Sequence, residues 1–277
     1  MYQVAQKGVL ISVFLFSCIF ALYHIRSHYF EHDTKLVFCD VGQGDGAYIR
    51  INNRIDILID AGPSNAILQC LGKHMPFYDR TIEIAFVSHP QLDHFGGLLP
   101  ILDRYNVKIL YSNTLGQLSN DYKELIMHAR KNGTIIKPFY KGTTVNVADA
   151  HFTSLWPTQR FIELAPSNED PNDFSQVISF EQRGKSALFT GDIGQTVADT
   201  YLKLDRTGYD ILKTPHHGSA TGFSEEFLKL ADPTTAVISV GRRNRYGHPQ
   251  SSIIEMLESH GVEVKRTDMN GSILYQW

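Results

Sequence analysis

From Lys35 onward the chain alternates short apolar runs with clusters of Gly, Asn, Asp and Pro, which is the pattern of many short strands. KLVFCDV (35–41), AYIRI (47–51) and IDILIDAG (55–62) predict three successive strands, with Asn52-Asn53 as a tight hairpin turn. TIEIAFVSH (81–89) predicts a buried strand, GGLLPILDRY (96–105) a helix and KILYS (108–112) a strand. LSNDYKELIMHARKNG (118–133) reads as a helix that stops at Gly133. TIIKPF (134–139), TTVNVA (143–148) and AHFTSLW (150–156) read as strands, as do SQVISFEQ (175–182) and SALFTGD (186–192), joined at 183–185. Helices at 195–204, 224–231 and 251–261 then alternate with strands YDILKTPHH (209–217) and TTAVISVG (234–241). VEVKRT (262–267) and SILYQW (272–277) close the chain as strands, with Asn270-Gly271 as their turn.

The chain therefore has two halves, each with several strands followed by strand–helix alternation. That order predicts an α+β protein, two mixed sheets faced by helices in an αβ/βα sandwich. No internal repeat or low-complexity tract interrupts it. The most turn-rich stretch, LAPSNEDPND (164–173), reads as a mobile rim.

Residues 8–23, GVLISVFLFSCIFALY, break the pattern with one uninterrupted apolar run. It is short for a spanning helix, which needs about 20 residues and at least about 17. No small-x-small cleavage site follows it, which favours an uncleaved signal anchor over a cleaved signal. A lipoprotein signal ending at Cys18 fits less well, because Phe16 suits it poorly and the run continues past the cysteine. Lys7 precedes the run, whereas Arg26 and Lys35 on its far side are interspersed with Glu31 and Asp33. This asymmetry places the main domain outside the cytoplasm, periplasmic or extracellular, anchored or secreted. The division is thus 1–34, anchor and linker, and 35–277, one domain.

At 277 residues, 43% apolar and 20% charged, the chain has ample material for a large core. A formal charge of −3 excludes a global basic field for nucleic acid, though not an enzyme that touches a few phosphates. Three cysteines are too few for a disulfide framework. Cys18 and Cys39 lie in apolar runs and read as buried or membrane-embedded small residues, and a Cys39–Cys70 bridge is an open alternative that the sequence does not support.

The candidate chemistry follows the strands. Asp60 comes after IDILI, His89, Asp93 and His94 after IEIAFVS, Asp192 after SALFTG, His216 and His217 after YDILKTP, and His248 after AVISVGRRNRYG. Loops at strand ends of mixed sheets converge on one edge. Imidazole and carboxylate suit Zn or Mn, one or two ions, and hydrolysis by metal-bound hydroxide. Asp192 is the natural bridge between two ions. A lone Asp after a strand is often a cap, and His74, His128, His151 and His260 carry no assigned role.

FCDVGQGDGAYIRI, LIDAG, SHPQLDHFGG, LFTGD, DILKTPHHGS, SVGRRNRYGHP and RTDMNGSI occur in that order. Together they resemble the metallo-β-lactamase-fold domain at the C-terminal end of ComEC competence proteins and its stand-alone relatives, from about Lys35 to the end. The resemblance implies a four-layer sandwich, a metal site at one edge and hydrolysis of phosphodiesters, with nucleic acid the first substrate to consider. It implies His89, Asp93, His94 and Asp192 as ligands, with His216, His217 or His248 supplying the remaining imidazole. Asp60 would prop the site, Asp40, Gln43 and Asp45 would form a rim loop, and His217 or His248 would assist catalysis. Ser219 and the Arg242, Arg243 and Arg245 cluster would hold phosphate oxygens. Only one apolar segment is present, so a translocation channel would be a separate protein. The alternatives are a hydrolase of small esters such as phosphocholine esters, or a metal-poor binding protein.

One position departs from the pattern. Where the wider fold has His-x-His-x-Asp-His, this chain has Gln91 in the second place, and PNDFSQV (171–177) offers no later histidine. An amide oxygen is a weak ligand, so the expected centre is asymmetric, with one firm ion and one weak position that suits Mn²⁺ better than Zn²⁺.

Overall fold

The strands pair into two seven-stranded sheets in a computed structural model that describes residues 8, 11–23, 32–113, 119–165 and 170–277. The first sheet contains β1 (Lys35–Phe38), β2 (Gly46–Ile51), β3 (Ile55–Ala61), β4 (Thr81–Val87), β5 (Asn106–Ser112), β6 (Ile135–Lys137) and β14 (Ile273–Gln276), ordered β14-β1-β2-β3-β4-β5-β6. The second contains β7 (Thr144–Val147), β8 (Ala150–Trp156), β9 (Val177–Gln182), β10 (Lys185–Phe189), β11 (Ile211–Lys213), β12 (Thr235–Ile238) and β13 (Glu263–Arg266), ordered β13-β12-β11-β10-β9-β8-β7. Each sheet is antiparallel in its first half and parallel in its second, from β3 to β6 and from β10 to β13.

Both faces of each sheet are covered, which is why the strands are near-continuous apolar runs rather than alternating ones. Successive residues point to opposite faces. Leu36, Phe38, Ile49 and Phe86 meet Phe152, Phe180 and Phe189 in the core between the sheets. Val37, Tyr48 and Leu58 face the other way, toward Ile67, Leu71, Leu98, Tyr122 and Leu125 of the helices on the first sheet. Leu188, Leu212 and Ile238 do the same with Phe227, Leu228, Ile253 and Leu257 on the second. Three buried cores separate four layers, the predicted αβ/βα sandwich. Helix Asn120–Lys131 begins where the Ser119 hydroxyl accepts from Tyr122 N, and helix Glu225–Ala231 where Ser224 accepts from Phe227 N.

The end of the chain is not the predicted hairpin. β13 joins β12 in the second sheet and β14 joins β1 in the first. The helical turn Thr267–Asn270 carries the chain between sheets. The predicted helix at 195–204 shrinks to one π turn, Val197–Tyr201. Helix Ala66–His74 was missing from the sequence reading, and it brings Cys70 against Cys39, the residue that follows β1. The two form a disulfide with Cα atoms 5.8 Å apart, which corrects the reading of Cys39 as a free buried thiol. Residues 11–23 are helical with large apolar side chains exposed. Among the described residues no helix is long and apolar enough to cross a membrane, so the described part does not itself support the predicted anchor. The turn-rich stretch at 164–173 lies partly outside the described residues.

Candidate metal centre

The parallel strands β3, β4, β10, β11 and β12 all end at the same edge, and the loops that leave them carry the acidic and imidazole residues. One oxygen or nitrogen each from Asp93, His94, Asp192 and His217 lies within 4.8 Å of the others, and three of the four residues are fully buried. Asp192 Oδ2 is 3.2 Å from His94 Nε2 and 3.1 Å from His217 Nε2, and Asp93 Oδ2 is 3.5 Å from His217 Nε2.

Local backbone conformation aims these groups. Asp93 and His94 sit on a single helical turn, Leu92–Phe95, entered from Gln91 in extended conformation. Gly44, at φ +139°, lets the loop after β1 press on that turn, since a Cβ there would come 2.2 Å from the Asp93 carbonyl oxygen. His216 and His217 both adopt left-handed conformations, φ 47° and 53°, and Asp60 does so at 57°. Such backbones cost about 1–3 kcal/mol each for residues with side chains, and they cluster where function requires them.

Each inward imidazole is fixed through Nδ1. His94 Nδ1 donates to Asp60 Oδ2 at 2.9 Å, and Asp60 is itself held by Ser88 N and Oγ, both at 2.7 Å. His217 Nδ1 donates to the Ser239 carbonyl at 2.9 Å and lies 3.2 Å from Asp45 Oδ1. His89 Nδ1 is 3.1 Å from both Ser88 Oγ and Ser175 Oγ. His89 Nε2 and Asp192 Oδ1 are buried with no hydrogen-bond partner, while His94 Nε2 and His217 Nε2 face the Asp192 carboxylate and, for His217, that of Asp93 as well. Buried polar atoms without partners cost free energy, and Nδ1 fixed with Nε2 free is how proteins orient metal-ligating histidine. The donor set of two imidazoles and two carboxylates fits a divalent ion.

The electrostatics agree. Burial works against the charge on Asp192, but the His217 and His94 rings beside it hold its carboxyl well below the usual range. Asp93 is held at about 2 in the same way, burial being outweighed by the His217 hydrogen bond and the His94 charge. His94 and His217 are raised well above an ordinary imidazole, because Asp192 with Asp60 or Asp45 overcomes the cost of burial. A divalent ion would replace those protons. His89 is the exception: burial, reinforced by the His94 charge, pushes it down to about 3, so it is neutral.

His217, not His216, closes the group of four. The His216 ring is half-buried, 6.2 Å from that of His217 and 5.8 Å from that of His248, which lies further out. Asp45 moves the opposite way. The DVGQGD loop forms a rim, but Asp45 is buried at the centre, 3.8 Å from His94 Nδ1. Asp40 stays exposed, and Gln43 Oε1 accepts from Gly241 N at 3.1 Å. Gln91 Nε2 donates to Asn172 Oδ1 at 2.7 Å. Ser219 shapes its own turn, accepting from Thr221 N. Arg245 is exposed and turned onto the Tyr246 ring rather than inward. The sequence reading missed Lys213. Its ammonium is buried against Asp45 and Asp192 and donates to the Gly191 carbonyl at 3.1 Å. A lysine inside the apolar strand YDILK was the available signal.

Residues 39–242 match the metallo-beta-lactamase superfamily. The chain is 30% identical over 260 residues to ComE operon protein 3 of Bacillus subtilis, covering 86% of this chain and 32% of that protein. It is 32% identical over 250 residues to Recombination protein 2 of Haemophilus influenzae, covering 84% of this chain and 28% of that protein. It therefore spans about a third of the length of these relatives. The solved metallo-beta-lactamase fold protein YhfI of Bacillus subtilis superposes with a TM-score of 0.59 at 12% identity, over 88% of this chain and 100% of that one. The chain belongs to the metallo-beta-lactamase superfamily, carries its metal-dependent hydrolase fold, and has competence proteins among its relatives.

Proposed function

We propose that this member of the metallo-beta-lactamase superfamily hydrolyses phosphodiesters, nucleic acid foremost, at a divalent-ion centre held by Asp93, His94, Asp192 and His217. The observation that carries the reading is the convergence of the buried His94 and His217 Nε2 atoms, their Nδ1 atoms fixed from behind, on the carboxylates of Asp93 and Asp192. A divalent ion held there would polarise a phosphoryl oxygen and acidify a bound water. The chain's own residues do the rest. His89 Nε2 and His248 Nδ1 are buried without partners, and burial depresses the proton affinity of both rings. A neutral imidazole can offer one hydrogen bond to a phosphate oxygen. His216 and His248, on the open side, have their proton affinity depressed by burial and so suit taking a proton from the attacking water. Arg242, Arg243 and Arg245 are exposed on the loop that leads to His248 and would suit phosphate oxygens once Arg245 swings off the Tyr246 ring.

A second ion beside His89 would have that neutral ring, a Gln91 amide bonded to Asn172 and what share of Asp192 the first ion leaves. An ion there would be held weakly, and Mn²⁺ would suit it better than Zn²⁺. The Cys39–Cys70 disulfide supports a domain that works outside the cytoplasm, where such bonds persist. The exposed apolar helix at 11–23 would hold it at a membrane. The test is release of p-nitrophenol from bis(p-nitrophenyl) phosphate by chelated protein after Mn²⁺ or Zn²⁺ is restored. Wild type should recover activity, His216→Ala should recover part of it and His217→Ala none. Full activity in chelator, or in His217→Ala, would sink the proposal.

A further inference from the structure

Lys213 ends β11, a strand buried along its whole length, and its own side chain is 3% exposed. Its ammonium lies against Asp45, is 3.7 Å from Asp192 Oδ1, and donates to the Gly191 carbonyl at 3.1 Å. A buried charge this close to a candidate ion site is costly unless it serves as a partner there. Its partners are informative. Asp192 turns Oδ2 toward His94 and His217, and Oδ1 toward Lys213. A carboxylate that bridges two ions through its two oxygens needs both of them. Here one oxygen faces an ammonium.

We propose that Lys213 is a fixed cation built into the centre, taking the place on Asp192 and Asp45 that a second divalent ion would need, so that the centre holds one exchangeable ion. The inference rests on the metal-centre reading and assigns Lys213 as a positioning residue. It joins two observations. Gln91 Nε2 donates to Asn172 Oδ1, so that oxygen beside the centre is already used. Asp45, buried with one oxygen on Lys213 and the other 3.2 Å from His217 Nδ1, ties the fixed cation to a ligand of the exchangeable one. The DVGQGD loop thus sets the number of ions as well as the rim.

The experiment is equilibrium dialysis of the full chain against Mn²⁺, with metal per chain read by elemental analysis. Wild type should bind one ion. Lys213→Gln, which keeps a donor for Gly191 and Asp45 but carries no charge, should bind two. Lys213→Met should also bind two, and should hold the first ion roughly tenfold or more tighter, because a neighbouring positive charge is gone. Lys213→Arg should stay at one. Melting followed by circular dichroism shows that each variant is folded before it is scored. Two ions in wild type would overturn the proposal, as would a single ion in a folded Lys213→Gln. No ion in wild type would overturn the metal-centre reading itself, and this inference with it.

Discussion

The Cys39–Cys70 bond closes a loop with a sequence separation of 31 that contains Asp45 and Asp60. Replacing both cysteines with alanine removes that constraint from the unfolded chain. For a loop of this length the lost closure entropy corresponds to about 3.7 kcal/mol at 25 °C. A domain of this size melts about 2–4 °C lower per kcal/mol, so the midpoint should fall by about 7–15 °C. Cys39 is the residue before Asp40, so the bond also fixes the base of the loop that brings Asp45 to the centre. Metal affinity should therefore weaken along with stability. The assay is chelated wild type beside Cys39→Ala/Cys70→Ala in urea, with unfolding free energies compared at equal slope. Either single variant should lose nearly the full amount, because either one cuts the bond. A loss below about 1 kcal/mol would refute the entropic argument. Three free thiols in denatured, unreduced wild type, rather than Cys18 alone, would show that the bond does not form.

Gly44→Ala should cost about 2–4 kcal/mol, read by urea unfolding, because it combines a φ that side chains rarely adopt with a Cβ 2.2 Å from the Asp93 carbonyl oxygen. Metal binding should weaken with it. His89, pushed down to about 3, refuses a proton that the unfolded chain accepts below its ordinary value near 6.5. Its contribution to stability is therefore present above pH 6.5 and is lost as the pH falls toward 3. In chelator, wild type should lose about 1.6 kcal/mol relative to His89→Gln between pH 6.5 and 5, and parallel pH profiles would contradict this. Arg245→Ala should leave stability within about 0.5 kcal/mol of wild type and lower the salt slope of DNA binding by about 1, as measured by anisotropy at several salt concentrations.

The layers were legible because burial of both sheet faces leaves its mark as runs such as IDILI and IEIAFV. The site was legible for the same reason: a charged or imidazole residue directly after such a run stands out. What local pattern could not carry was geometry. His216 and His217 are adjacent, and only two successive left-handed backbones decide that His217 faces Asp192. Asp45 looked like a rim residue because the close approach of Gly44 to Asp93 is a contact across about 50 positions. Lys213 was hidden in the apolar strand YDILK, where its partners come from two distant loops. The disulfide was missed together with helix Ala66–His74, whose start carries no side-chain cap. The final strands looked like a hairpin because Asn270-Gly271 is a good turn signal, yet Thr267 and Val240 exchange hydrogen bonds that hold the chain in the second sheet until that point.

The central claim is phosphodiester hydrolysis at the group formed by Asp93, His94, Asp192 and His217, and cleavage of end-labelled DNA tests it most directly. Full-length wild type and Asp93→Ala would be incubated side by side with single-stranded and duplex DNA in Mn²⁺ and in chelator. The account predicts cleavage by wild type in Mn²⁺ alone, with none from a folded Asp93→Ala. Equal cleavage by the two proteins, or cleavage that survives the chelator, would contradict it.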